Sequence, residues 1–282
     1  MKYLKLIALI SGMVFLGSCN QQKTYDPSKA EDIFNVSYGN HSQQNMDIYL
    51  PANRTSQTRV VILVHGGGWS AGSKEDFNYA VPFFKTYLPQ YAVVNINYRL
   101  GTVADPGFPK QIQDIQSVID FLEENKEEYT ISSDLALFGG SAGGHLSLLY
   151  AYDFDPADKV KAVCSLVGPT DLTDPSYTQN PAYDYAALSL VGNYTYVQNP
   201  ALYIEVSPAQ HVTPAAPKTL MFYGGADVLV PATQGPVLKT KLDDVGVYNE
   251  LYLYPNEGHG GWSAPSSLDM QIKLVNFFNN HF

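Results

Sequence analysis

Two glycine-rich segments constrain the fold of this chain most strongly, because each directly follows a short apolar run. Val60–Val64 precedes His65–Trp69, which contains three consecutive glycines, and Leu135–Phe138 precedes Gly139–Gly144. Continuous apolar runs of this length are typical of strands that are covered on both faces. In the second segment a strand, a Gly-x-Ser-x-Gly turn and a helix follow one another. This order predicts a tight, strained turn that exposes Ser141 above a sheet.

The rest of the chain alternates short β-branched runs with amphipathic segments, which indicates repeated strand–helix units. The predicted strands are Asp32–Tyr38, Gln44–Leu50, Val60–Val64, Ala92–Ile96, Leu135–Phe138, Val160–Leu166, Thr219–Tyr223 and Asn249–Tyr254. The predicted helices are Pro109–Lys126, Ala142–Tyr150, Pro231–Val245 and Ser266–Phe278. We therefore expect an α/β fold with one doubly wound, mostly parallel sheet over residues 31–282, and a small tyrosine-rich lid insertion at about residues 172–206.

The N-terminal residues have the pattern of an export signal rather than of a folded element. Two lysines precede the apolar stretch Leu6–Leu16, which is too short to span a bilayer. Leu16–Cys19 resembles the lipobox of bacterial lipoproteins, and this resemblance implies cleavage before Cys19 and acylation of that cysteine. We expect a signal peptide at residues 1–18, a flexible tether at residues 19–30 and an exported, membrane-anchored lipoprotein of the bacterial envelope. An ordinary cleaved signal with a chance cysteine is the alternative.

Charge and cysteine content exclude several kinds of ligand and framework. The formal net charge is −10, and no basic cluster follows the predicted signal. This argues against nucleic acid or an anionic membrane surface as the ligand. Cys164 is the only other cysteine, so acylation of Cys19 leaves no disulfide. The sequence has no metal-ligand cluster or cofactor motif, and we expect neither a metal nor a cofactor.

Ser141 is the candidate nucleophile, and it needs a base that lies later in the chain. The best placed of the six histidines is His259, in a glycine-rich loop just after the predicted strand Asn249–Tyr254. A base on a loop at the carboxyl end of a strand can reach a serine at the same edge of the sheet. The other histidines are less well placed: His41 and His65 precede Ser141, His145 is on the following helix, His211 precedes a strand, and His281 is penultimate.

Asp227 is the candidate acid, because it follows the predicted strand Thr219–Tyr223 and lies between Ser141 and His259 in the chain. Its carboxylate would hold one tautomer of the imidazole and stabilise the imidazolium that forms. Asp243 and Asp244 fall within a predicted helix and Asp171 follows an earlier strand, so they are weaker candidates. A turn-forming role is the structural alternative for Asp227.

The tetrahedral intermediate of an acyl transfer needs hydrogen-bond donors that point at its oxyanion. The backbone N–H groups of Gly67, Gly68 and Ala142 are the expected oxyanion hole. His65 is expected to hold the glycine-rich loop in shape by hydrogen bonding, and Trp69 is expected to pack. Neither side chain is expected to take part in the chemistry.

These motifs together resemble the esterase/lipase branch of the α/β-hydrolase superfamily, related to hormone-sensitive lipase and to bacterial feruloyl and acetyl esterases. The resemblance runs from Asp47–Pro51 through the two glycine-rich segments and Asn97–Leu100 to Asp227 and His259. Gly140 departs from the hormone-sensitive-lipase group, which usually has aspartate there. The following Ser141–Leu146 is closer to feruloyl-esterase-like and formamidase-like relatives. The resemblance implies an α/β-hydrolase fold and a serine mechanism.

The residues and the resemblance together predict a serine carboxylic ester hydrolase that acts through a Ser-His-Asp triad and an acyl-enzyme. The expected substrates are acetyl, feruloyl or other short acyl esters, including esters of carbohydrate. Alternatives are a formamidase, a prolyl-oligopeptidase-like peptidase, or a non-catalytic binding protein.

Tyrosines are concentrated in the predicted insertion. They are Tyr177, Tyr183, Tyr185, Tyr194, Tyr196 and Tyr203. Tyrosine rings can line a sugar or aryl pocket, or they can simply pack on one another. Both interpretations stay open at the level of the sequence.

Overall fold

A computed structural model describes residues 25–179 and 187–282, and its centre is an eight-stranded sheet. The strands are β1 (Glu31–Ser37), β2 (Asn45–Leu50), β3 (Val60–Val64), β4 (Ala92–Ile96), β5 (Leu135–Gly140), β6 (Val160–Leu166), β7 (Lys218–Gly224) and β8 (Asn249–Tyr254). Their order is β1-β2-β4-β3-β5-β6-β7-β8. Only β2 runs against the others in this sheet, because it pairs antiparallel with both β1 and β4. The predicted α/β fold class is confirmed.

Helices cover both faces of this sheet. They are Ala80–Tyr87, Lys110–Glu124, Lys126–Tyr129, Ala142–Asp153, Pro175–Thr178, Pro200–Glu205, Gln234–Asp244 and Ala264–His281, with 3₁₀ turns at Lys74–Phe77 and Pro208–Gln210. Alternate residues of a strand point to opposite faces, and β3 shows the consequence. Val60, Ile62 and Val64 belong to one hydrophobic cluster, whereas Val61 and Leu63 belong to the other. Both faces of β3 are therefore buried in apolar surroundings, in agreement with its continuous apolar sequence.

The structure describes the N-terminal segment from residue 25 onwards. Residues 1–18 and Cys19 lie outside the described residues, so the signal and the lipidation stay predictions. The Arg54 guanidinium donates hydrogen bonds to the backbone oxygens of Tyr25 and Lys29, at 3.0 and 2.6 Å. Tyr25 and Lys29, which fall within the predicted tether, 19–30, are thus hydrogen-bonded to the domain. Among the described helices, none is long and apolar enough to cross a membrane.

The described part of the predicted insertion contributes buried side chains to the main hydrophobic core. Tyr177 and Tyr203 are buried. The Tyr203 ring meets the Tyr196 ring edge-on at 5.7 Å, and its hydroxyl donates to the backbone oxygen of Tyr194 at 3.0 Å. Tyr183 and Tyr185 lie outside the described residues. For Tyr196 and Tyr203, the interpretation as mutual packing fits the structure better than a pocket lining.

Candidate active site

The turn between β5 and the helix Ala142–Asp153 places Ser141 in a strained backbone conformation. Its φ is 52° and its ψ is −123°, a region that residues with a side chain rarely adopt. A Cβ atom at Gly139 would lie 2.2 Å from the backbone oxygen of Gly143. A Cβ atom at Gly143 would lie 2.1 Å from the oxygen of Val64. Only glycine fits at these two positions, as the sequence pattern predicted.

Replacing Gly143 with alanine is therefore expected to destabilise the protein strongly. The new methyl group would also lie 2.4 Å from the backbone oxygen of His65, and backbone cannot move aside as a flexible side chain can. We expect the free energy of unfolding to fall by about 3 kcal/mol in urea denaturation. Gly258→Ala is the control, because its Cβ would meet no atom within 4 Å. Equal stability of the two variants would contradict the steric argument.

The carboxyl ends of β5, β7 and β8 bring Ser141, Asp227 and His259 together at one edge of the sheet. The Oγ of Ser141 lies 2.8 Å from Nε2 of His259. The Nδ1 of the same imidazole lies 2.8 Å from Oδ2 of Asp227. The three side chains thus form one continuous hydrogen-bonded series, although Ser141 lies 118 positions and Asp227 lies 32 positions before His259 in the chain. This arrangement is the one that a serine nucleophile, a general base and an orienting acid require.

The Asp227 carboxylate is enclosed and held by several donors. Its side chain is 0% exposed, whereas that of His259 is 22% exposed. Oδ1 accepts hydrogen bonds from the N–H groups of Leu229 and Val230, at 2.8 and 2.9 Å. Burial alone would raise the pKa of Asp227, but the hydrogen bonds from His259, Val230 and Leu229 outweigh burial and lower the pKa. The group therefore remains a carboxylate that accepts the Nδ1–H of His259.

The competing candidates from the sequence lie away from Ser141. Nε2 of His211 lies 3.0 Å from the backbone oxygen of Glu205. The His281 ring stacks on the Tyr248 ring at 4.0 Å. Asp171 accepts from the side chains of Thr173 and Gln210. None of the three side chains therefore contacts Ser141 or His259 in the described structure, and the elimination made from the sequence agrees with the geometry.

His145 is fully buried and neutral in this arrangement. Its Nδ1 accepts a hydrogen bond from the Trp69 indole at 3.1 Å, so its Nε2–H must be the group that donates to the Val206 backbone oxygen at 2.7 Å. Burial lowers the pKa of His145 to about 4, although the bond to Val206 opposes this shift. The sequence placed His145 on the helix after Ser141 but gave no indication of this pair of partners.

The buried imidazole of His145 predicts a loss of stability in acid. The unfolded chain binds a proton near pH 6.5, whereas folded His145 does so only near pH 4. The stabilisation is therefore complete above about pH 6.5 and is lost as the pH falls towards 4. The difference is worth about 3 kcal/mol. Urea denaturation at pH 7 and pH 4 measures how far the free energy of unfolding falls between the two pH values. This fall should be about 3 kcal/mol smaller in His145→Gln than in the wild type. Equal falls in the two proteins would contradict the assignment.

The loop after β3 lies directly against the Ser141 turn. A Cβ atom at Gly66 would lie 3.2 Å from Cβ of Ser141, so the two segments are in close contact. Gly67 and Gly68 have φ angles of 118° and 56°. Gly67 lines the same cavity as Ser141, whereas Gly68 and Ala142 are not part of the cavity lining. Ala142 is the first residue of its helix, so its N–H has no acceptor within that helix.

His65 holds the start of this loop, as the sequence predicted. Its Nδ1–H donates to the backbone oxygen of Gly66 at 2.6 Å. Its ring stacks on the Tyr98 ring at 4.2 Å, and the Tyr98 hydroxyl donates to the backbone oxygen of His65 at 2.8 Å. Burial lowers the pKa of His65, so the ring is neutral at physiological pH. The residue is thus a structural support and does not contact Ser141.

A cavity of about 510 Å³ opens above Ser141 and is lined mainly by apolar side chains. Its walls contain Phe77, Tyr79, Leu166, Val167, Trp262 and Met270, together with the carboxylate of Asp76. Val167 has a φ of 51°, which is unusual for a β-branched residue and concentrates strain at this edge of the sheet. Sequence reasoning missed these residues, because they come from separate loops and a helix that no motif marks.

The sheet order and the Ser141 turn define this protein as an α/β-hydrolase. The chain belongs to the BD-FAE family, whose family model matches residues 46–242. The match includes Ser141 and Asp227 and ends before His259.

Individual relatives agree with this class. Esterase LipC of Mycobacterium tuberculosis is 28% identical over 239 residues, which are 80% of this chain and 59% of that protein. Kynurenine formamidase of Danio rerio is 28% identical over 151 residues, which are 51% of this chain and 48% of that protein. The chain spans less than two thirds of the length of these curated relatives.

The solved structures support the fold. A truncated form of carbohydrate esterase from gut microbiota superposes with a TM-score of 0.74 and 24% identity, over 92% of this chain and 99% of that one. Together with the family match, this likeness assigns the chain the α/β-hydrolase fold.

Proposed function

We propose that the protein is a serine carboxylic ester hydrolase in which Ser141, His259 and Asp227 form the catalytic triad. The observation that carries this proposal is the hydrogen-bonded series at the edge of the sheet, with both contacts of His259 at 2.8 Å. The cavity above Ser141 gives a substrate access to this series. Membership of the BD-FAE family and similarity to an esterase support the same activity.

The geometry suggests how each group acts. Nε2 of His259 accepts the Ser141 proton while Oγ attacks the ester carbonyl, and the same nitrogen then donates that proton to the departing alcohol. Asp227 accepts the Nδ1–H and so keeps Nε2 free to act as the base. Water attacks the acyl-enzyme in a second step with His259 again as the base, and this step releases the acid and restores Ser141.

The oxyanion that forms in each step needs fixed donors. We propose the N–H groups of Gly67, Gly68 and Ala142 for this role, with the strongest geometric support for Gly67, which faces the cavity. Removal of one such donor typically costs about 3 kcal/mol of transition-state stabilisation. The glycine-rich loop therefore has to keep its conformation while the ester carbonyl becomes a tetrahedral oxyanion.

The walls of the cavity favour an uncharged substrate with an aryl or short acyl group. Phe77, Tyr79 and Trp262 offer ring faces and edges on which an aromatic acyl group can pack. The carboxylate of Asp76 in the same lining disfavours an anionic group. We therefore propose acetyl, feruloyl or other short acyl esters, including esters carried on carbohydrate, as the substrates.

Amide cleavage is the second candidate function, because a kynurenine formamidase is among the relatives. A panel of aryl acetates, methyl ferulate, formyl-arylamines and peptide amides separates the two activities. We expect the highest kcat/KM with the aryl esters, and cleavage confined to formyl-arylamines or peptide amides would reject the ester assignment. Failure of a fluorophosphonate to label the wild-type protein would instead favour a non-catalytic binding protein.

We also propose that residues 1–18 are removed and that acylated Cys19 anchors the protein to a bacterial membrane. Support for this comes from the sequence pattern alone. Cys19→Ser should move the protein from the membrane fraction to the soluble fraction of the producing cell. Retention in the membrane fraction would reject the anchor.

A further inference from the structure

A buried hydrogen-bond bridge connects three segments of the chain, two of which carry the candidate oxyanion donors. The Trp69 indole donates to Nδ1 of His145, and Nε2 of His145 donates to the backbone oxygen of Val206. Trp69 directly follows Gly67 and Gly68, His145 lies one turn along the helix that starts after Ser141, and Val206 ends the insertion. Trp69 is 5% exposed and His145 is 0% exposed, so water does not compete for these bonds.

Hydrogen bonds from the N–H of Ala71 and the hydroxyl of Ser189 hold the backbone oxygens of Gly67 and Gly68, but the strained conformation at Trp69 needs further support. Gly67, Gly68 and Trp69 all have positive φ angles, of 118°, 56° and 61°. A Cβ atom at Gly68 would meet no atom within 4 Å, so no side chain packs on that side of the loop. A tryptophan disfavours a positive φ, in contrast to glycine. The conformation at Trp69 therefore depends on what holds its side chain and its carbonyl group.

Two groups of contacts hold Trp69 in place. Its backbone oxygen accepts from the N–H of Gly101 and from the side-chain amide of Gln111, both at 2.7 Å. Its indole meets the His145 ring edge-on at 5.2 Å, in addition to the hydrogen bond. His145 itself is fixed, because its backbone N–H donates to the oxygen of Ser141 at 3.0 Å. The bridge thus ties the loop to the helix that carries the candidate nucleophile.

We infer that His145 is a positioning residue, whose neutral imidazole keeps the oxyanion loop in register with Ser141 through Trp69. This inference rests on the proposed function, since it assigns a role within the same site. His145 touches neither Ser141 Oγ nor the cavity, so it acts only through the loop. A residue that merely fills the core would affect stability but would not change the turnover of the folded enzyme.

The test compares His145→Leu, His145→Gln and Trp69→Phe in the full chain. His145→Leu removes both bonds, His145→Gln retains an acceptor and a donor, and Trp69→Phe removes the indole donor. We expect His145→Leu and Trp69→Phe to lower kcat for an aryl acetate by about 10- to 100-fold, with KM changed less than about twofold, because the loop acts on the transition state. His145→Gln should retain most of the wild-type kcat. The double variant His145→Leu/Trp69→Phe should have a kcat no lower than that of the more impaired single variant, because both substitutions break the same bridge.

Ser147→Ala is the matched control, because Ser147 is buried in the same helix but donates to the Gly143 oxygen of its own helix rather than to the loop. Its kcat should stay within about threefold of the wild type. All values are normalised to the folded fraction measured by denaturation. A loss of stability in His145→Leu with an unchanged kcat per folded molecule would overturn the inference, as would equal losses in His145→Gln and His145→Leu.

The rate of fluorophosphonate labelling separates failure of the inference from failure of the proposed function. A wild-type protein that is labelled but hydrolyses no ester would reject the proposed substrate class only. In that case the labelling rates of the variants should still fall in the same order. A wild-type protein that shows neither labelling nor turnover would overturn both proposals.

Discussion

Ser141→Ala is expected to lower kcat for an aryl acetate by roughly 10⁵- to 10⁶-fold, the loss that typically follows removal of a triad serine. Without Oγ no acyl-enzyme can form, and His259 can act only on a water molecule that the cavity holds less well. The substrate-binding walls are unchanged, so KM should stay within a few-fold of the wild-type value. The measurement is single- and multiple-turnover kinetics with an aryl acetate, supported by fluorophosphonate labelling that should disappear.

The stability of this variant provides an internal check. Ser141 has a strained backbone and a side chain that serves no core contact, so alanine should leave the free energy of unfolding equal or slightly higher. Ser267→Ala is the control for reactivity, because Ser267 lines the same cavity but its hydroxyl donates to the backbone oxygen of Trp262 at 3.2 Å. If both variants label and turn over equally, Ser141 is not the nucleophile.

The sequence predicts the sheet well where the physical signal is local. The strands Val60–Val64, Ala92–Ile96, Val160–Leu166 and Asn249–Tyr254 have the same bounds in the structure as in the prediction. Val60–Val64 is a continuous apolar run and the next two are mostly apolar, which is the pattern expected of strands covered on both faces. The glycines at 139 and 143 were predictable for a similar reason, because a tight strand-to-helix turn leaves no room for a Cβ.

The sequence did not predict the 3₁₀ turn Lys74–Phe77 or the helix Ala80–Tyr87, because distant contacts stabilise both. The buried Lys74 ammonium donates to Asp47 and Asn35 on the first two strands, at 2.5 and 2.7 Å. In the helix, Phe84 packs against the rings of Phe138 and Phe278. The stability of such short elements comes largely from tertiary packing rather than from local propensity.

The candidate site shows the same division between local and distant information. Ser141 could be proposed from the Gly-x-Ser-x-Gly turn, and Asp227 and His259 from strand ends and chain order. The cavity walls could not, because Phe77, Val167 and Trp262 come from three segments whose meeting depends on the whole sheet. The hydrogen bonds of His145 were missed for the same reason, since Trp69 and Val206 lie 76 and 61 positions away in the chain.

Asp227→Asn is expected to lower kcat by about 10⁴-fold while leaving the fold intact. The amide oxygen can still accept from Leu229 and Val230, so the side chain keeps its orientation. The amide nitrogen then faces Nδ1 of His259 with a donor where the carboxylate had an acceptor. The imidazole is therefore stabilised as the tautomer with hydrogen on Nε2, which cannot accept the Ser141 proton. KM should change little, because Asp227 is not part of the cavity lining.

The matched control is Asp171→Asn, since Asp171 is the other aspartate that follows a central strand and competed for the same role in the sequence. Its carboxylate accepts from Gln210 and Thr173 instead of from a histidine. We expect its kcat to remain within a few-fold of the wild type, because substitutions outside the site usually have small effects. The decisive comparison is kcat on an aryl acetate at pH 7 and pH 9. The kcat of Asp227→Asn should stay low at both pH values, because deprotonation of the imidazolium cannot correct the tautomer. An equal loss of kcat in Asp171→Asn would remove Asp227 from the triad.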